Sequence, residues 1–60
     1  QELTGWAHIA INVGTKQDVD TMATRADQQG RLASPPRTTG DGFYEAVIRD
    51  PDGNLIELVA

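Results

Sequence analysis

The sequence predicts an α+β domain in the order strand, helix, strand, strand, strand, with a four-stranded mixed sheet and one covering helix. Three observations carry this. Apolar residues alternate near both ends of the chain, over Gly5 to Val13 and Phe43 to Ala60. Between them, Val19, Met22, Ala23 and Ala26 recur at helical spacing. Asp50-Pro51-Asp52-Gly53 marks a tight turn inside the second alternating region.

In the first strand, Ala7, Ile9, Ile11 and Val13 point one way, and Trp6, His8, Ala10 and Asn12 the other. Thr15 is the expected N-cap of a helix over Lys16 to Gln29, with Asp18 three residues on as the aspartate form of a capping box. Asp18 and Asp20 suit the positive end of the helix dipole, and Gly30 is the expected stop. Arg31 to Ser34 reads as a short strand limited by Pro35-Pro36, followed by a polar loop from Arg37 to Gly42. In the next strand Tyr44, Ala46 and Ile48 oppose Phe43, Glu45, Val47 and Arg49. After a turn with a G1-type bulge, Ile56 and Leu58 oppose Leu55, Glu57 and Val59.

One sheet face thus gathers Ile9, Ile11, Val13, Tyr44, Ala46, Ile48, Ile56 and Leu58, and the helix stripe is its natural cover. Tyr44 is expected against the helix with its hydroxyl at the rim. The other face mixes Trp6, His8, Asn12, Phe43, Val47, Leu55 and Val59 with Glu45 and Glu57. It is too apolar to sit bare in water and too polar for a plain core, a mixture suited to a pocket or an interface.

The composition narrows the function. The chain has 60 residues, a net charge of −4 and no cysteine. Disulfides and thiolate chemistry are excluded, and a core this small calls for a metal or a partner. Its five basic residues are dispersed, which argues against nucleic acid. No apolar run approaches the ~20 residues of a membrane span, and a cytoplasmic setting is expected. The first residue, Gln1, suggests a processed chain or a fragment. Ser34, the one serine, precedes a Pro-Pro pair and lacks a nucleophile elbow. The glycines form no phosphate-cradling loop.

His8 and Glu57 share the mixed face. If the first and last strands are neighbours, imidazole and carboxylate converge as a ligand pair for Zn, Ni, Mn or Fe; an outward carboxylate and a hydrogen-bonded histidine are the alternative. Glu45 is a candidate general base or substrate contact, or an exposed acid. Trp6 either walls a pocket or lies in a dimer contact.

The run His8-Ile9-Ala10-Ile11-Asn12-Val13, the helix ending at Gly30, Pro35-Pro36-Arg37, Gly42-Phe43-Tyr44-Glu45-Ala46, and Asp50-Pro51-Asp52-Gly53-Asn54-Leu55-Ile56-Glu57-Leu58 together resemble one βαβββ module, of the C-terminal type, of the vicinal oxygen chelate superfamily. That superfamily includes glyoxalase I, bleomycin- and fosfomycin-resistance proteins and extradiol dioxygenases. The resemblance implies that residues 1–60 are half of a two-module cup. It implies His8 and Glu57 as metal ligands, Glu57 and Glu45 as catalytic carboxylates, and Trp6, Asn12, Phe43 and Val47 as substrate contacts. It further implies a divalent cofactor, a small vicinal-oxygen substrate, and lyase, isomerase or dioxygenase chemistry. One module supplies two ligands, so the site needs a second module, from a homodimer or from an N-terminal half. A metal-free binding protein like the bleomycin-resistance proteins, and an inactive fragment, are the alternatives.

Overall fold

The computed structural model describes residues 9–60. The expected start of the first strand, with Trp6 and His8, lies outside them. The elements are β1 (Ile9–Asn12), α1 (Lys16–Gln28), β2 (Leu32–Thr38), β3 (Tyr44–Arg49) and β4 (Leu55–Val59). They form one four-stranded sheet in the order β1-β4-β3-β2. β1 runs parallel to β4, and the other pairs are antiparallel. The sheet is therefore mixed, and the chain's first and last strands are neighbours.

The turn into α1 rests on two local devices. Gly14 adopts φ +106°, a left-handed conformation that a β-carbon disfavours, and its N–H donates to the Asn12 side-chain oxygen at 2.9 Å. Thr15 is the N-cap, its hydroxyl oxygen accepting from the Asp18 N–H at 3.1 Å. The return contact differs from a standard capping box: the Thr15 hydroxyl itself donates to the Asp18 carboxylate at 2.9 Å. At the other end Gly30, at φ +72°, closes a Schellman motif. The Arg31 N–H reaches Ala26 O at 2.8 Å, and the Gly30 N–H reaches Asp27 O at 3.0 Å.

The core is compact and built from small residues. Val19, Ala23 and Ala26 of α1 and Ala46 and Leu58 of the two central strands are buried, and Val19, Ala23 and Ala46 form one cluster. Val13, Leu32, Tyr44 and Ala60 pack around the Val19–Ala23–Ala46 cluster. Tyr44 sits at the rim as expected, its hydroxyl donating to Asp20 and its ring 5.8 Å from the Lys16 ammonium.

Two expectations need correction. The helix was expected to cover the whole apolar face, with Met22 in its buried stripe. It packs instead mainly on β3 and β2, much less on β4. Met22, Ile9 and Ile11 are left 40%, 54% and 42% exposed. Small Ala23 is buried in one cluster with Val19 and Ala46 of β3, and Met22 lies outside that cluster. The second correction concerns β2, which does not stop at the prolines but runs through Pro35-Pro36 to Thr38. It is an edge strand, and its pairing with β3 is irregular between Ser34 and Arg37, where both prolines lie. The missing N–H groups thus cost no regular ladder bond. The loop shrinks accordingly, closed by the Thr39 N–H to Phe43 O bond at 2.7 Å.

The β3–β4 turn is as expected. The Asp50 carboxylate accepts from the N–H groups of Asp52 and Asn54 at 2.9 and 2.8 Å, and Gly53 takes φ +89°. Among the described residues, no helix is long and apolar enough to cross a membrane.

Candidate functional site

Strand register assembles the face opposite the helix into two adjacent rows. Ala10, Glu57, Val47 and Ser34 run across β1, β4, β3 and β2 in one row. Asn12, Val59, Glu45 and Arg37 run across the same strands in the next. Directly opposed residues on neighbouring strands share a face, so both carboxylates lie on the sheet's central strands, away from α1.

Burial sets this face apart. Glu45, Glu57 and Val47 are only 3%, 5% and 6% exposed, as deeply placed as much of the helix-side core. Withdrawing a carboxylate from water is costly unless a charge or donors compensate it. Glu45 has one ionic neighbour among the described residues. Arg37, directly across on β2, holds Nη2 3.9 Å from Glu45 Oε2, too far for a hydrogen bond. The other oxygen, Glu45 Oε1, is buried and accepts no hydrogen bond. The Arg37 side chain itself is 63% exposed.

The sequence-derived candidates divide as follows. Glu57 and Val47 are direct neighbours, with Glu45 and Asn12 in the adjoining row. Asn12 is exposed, and its side-chain oxygen is engaged by the Gly14 N–H. Phe43 ends the loop before β3 and is 45% exposed, so it stands apart from the buried centre. His8 and Trp6 lie outside the described residues. Among the described residues no three His, Cys, Asp or Glu side chains form a metal-binding group.

Arg37, part of the family-like Pro35-Pro36-Arg37 run, is the residue whose place at this face sequence reasoning missed. Placing it in a loop after two prolines hid its position opposite Glu45. The signal was available: an arginine and a glutamate at equal distances from a glycine-containing turn are natural partners across a hairpin.

The sequence matches the family model "Glyoxalase/Bleomycin resistance protein/Dioxygenase superfamily" over residues 1–58. Among solved structures, the chain is similar to a hypothetical protein from S. aureus. The two share 26% identity with a TM-score of 0.73, over 87% of this chain and 41% of that one. The chain therefore spans about two fifths of that protein's length. No curated protein matches the sequence.

Proposed function

We propose a function on one premise: the chain belongs to the glyoxalase, bleomycin resistance and dioxygenase superfamily. It is a vicinal oxygen chelate module. In the proposed reading it supplies His8 and Glu57 to a divalent metal site shared with a second βαβββ unit, for lyase or isomerase chemistry on a small substrate.

The observation that carries this reading is Glu57, a carboxylate 5% exposed on a central strand, between Ala10 and Val47 and one row from Glu45. A face that buries two carboxylates suits a cation. Carboxylate oxygen with imidazole nitrogen fits Zn, Ni, Mn or Fe. Such an ion supplies Lewis acidity toward paired substrate oxygens. The residues of this chain do the rest. Glu57 and His8 hold the site, Glu45 takes or returns a proton at its carboxylate, and Val47, with Asn12, Phe43 and Trp6, shapes and dries the cup.

The need for a second unit is supported by the two sheet edges. β2 is blunted by two prolines and an irregular register, whereas β1 is a plain strand with its outer edge unpaired among the described residues. Exposed Ile9 and Ile11 lie on this edge strand and continue the apolar surface there. A second unit at this edge would bring its own His and Glu to the first, giving two of each about a twofold axis.

The test combines sedimentation with metal analysis. The expected result is an assembly of two units carrying bound divalent ion, with a melting temperature that falls on chelation. His8→Ala should lose the ion and the chelator response. A chain that takes up none of Zn, Ni, Mn or Fe, or that stays monomeric when loaded, overturns the reading.

A further inference from the structure

Glu45 and Arg37 form a cross-strand pair with unusual terms. The carboxylate is buried and one of its oxygens accepts nothing. The guanidinium is exposed and stands 3.9 Å from the other oxygen, and no hydrogen bond among the described residues holds it. Arg37 can therefore turn toward a ligand without breaking one, and Glu45 Oε1 has unused capacity for a donor. Both residues lie one row from Glu57 on the same face.

From this geometry we infer that Arg37 and Glu45 together read a small carboxylate that carries a hydroxyl on the adjacent carbon. The carboxylate of the ligand takes the fork of Arg37, a geometry guanidinium matches in two parallel bonds. The neighbouring hydroxyl donates to Glu45 Oε1. This orientation keeps the ligand's negative charge on the arginine and away from the glutamate. A ligand without the charge leaves Arg37 unused, and one without the hydroxyl leaves the buried acceptor unsatisfied. The inference names the substrate class for the proposed cup and rests on that reading of the face, but the pair itself needs no metal.

The experiment is an NMR titration of the whole chain with glycolate, acetate and glycolamide, following the Arg37 Nε–Hε and Glu45 carboxyl signals. Glycolate should shift both saturably. Acetate, lacking the hydroxyl, and glycolamide, lacking the charge, should each need at least tenfold higher concentration. Arg37→Gln should abolish the glycolate response, and Arg37→Lys should retain only part of it. Arg37→Gln removes the charge beside the buried Glu45 whereas Arg37→Lys keeps it, so the amide spectrum of each variant is first checked for the parent fold. Equal responses to the three probes, an unchanged response in Arg37→Gln, or no saturable shift overturns the inference. Repeating the titration with chelator and with added Zn separates the two ideas. Zn uptake without a glycolate response overturns this inference alone, and a glycolate response without Zn uptake overturns only the metal reading.

Discussion

Replacing Glu57 with glutamine tests the proposed metal site with little change of shape. The amide keeps the size of the carboxylate and removes its charge at a position 5% exposed. A ligand that binds only the folded chain stabilises it by RT ln(1 + [L]/Kd), about 2.7 kcal/mol at one hundred times Kd. An unfolding entropy of ~2.1 cal/mol/K per residue makes 1 kcal/mol worth about 8 °C in a chain of 60 residues, so saturating metal should raise the melting temperature by roughly 20 °C. The assay is calorimetric melting with and without ion, each variant compared with its own chelated state. Any effect of the substitution on the metal-free fold then cancels. Glu57→Gln should lose most of the increment, while Glu45→Gln, one row away, should keep it. An equal increment in Glu57→Gln and the parent chain would refute the assignment of Glu57 as a ligand.

Other consequences follow from the same structure. Leu58→Ala empties a position 1% exposed on the strand next to β1 and should cost about 2–5 kcal/mol, read from chemical denaturation. Tyr44, the sole tyrosine, has its phenol pKa raised above the usual 10.0, first by the hydrogen bond to Asp20 and then by burial. Its raised folded-state value means the bond stabilises the fold at neutral pH and that this stability is lost as pH climbs through the tyrosine range. Phenolate absorbance should titrate higher in the parent chain than in Asp20→Asn. Asp50 is shifted the opposite way, below 3.8, chiefly by the hydrogen bond from the Asn54 backbone. Its contribution is present above the unfolded value and lost as pH falls below it. Asp50→Ala should therefore weaken the fold at neutral pH, with the difference from the parent chain narrowing in acid unfolding.

Much of this fold was legible because its local signals agree. Thr15 with Asp18, Gly30, and the Asp50–Gly53 turn each mark a boundary by backbone chemistry, and each lies where expected. Strict alternation in β3 and β4 put Glu45, Val47 and Glu57 on one face, which the register bears out. What escaped was lateral. Periodicity says which side of a helix is apolar, but not which strands it covers. The helix settles mainly over β3 and β2, with Ala23 and Val19 against Ala46, and Met22, Ile9 and Ile11 stay exposed. The prolines misled for a related reason. Pro35-Pro36 forbids a central strand but not an edge one, and only the strand order reveals that β2 is an edge. Arg37 was lost with it, and half of the Glu45 pair.

A domain of this size holds only about 0.05–0.15 kcal/mol of stability per residue, which makes two buried carboxylates hard to explain as structural features. Glu45 is the cleaner case, since its sole ionic partner among the described residues is a largely exposed arginine. Removing the carboxylate leaves no buried countercharge behind, unlike the usual broken pair. Glu45→Met, similar in length and apolar, should therefore stabilise the chain by about 1–3 kcal/mol, or roughly 8–25 °C in melting temperature. The same variant should lose the glycolate response. Stability gained as binding is lost would mark Glu45 as a residue retained against the interest of the fold, as ligand-contacting groups commonly are. If Glu45→Met melts well below the parent chain, the carboxylate is part of what holds β2 to β3, and its burial no longer argues for a ligand.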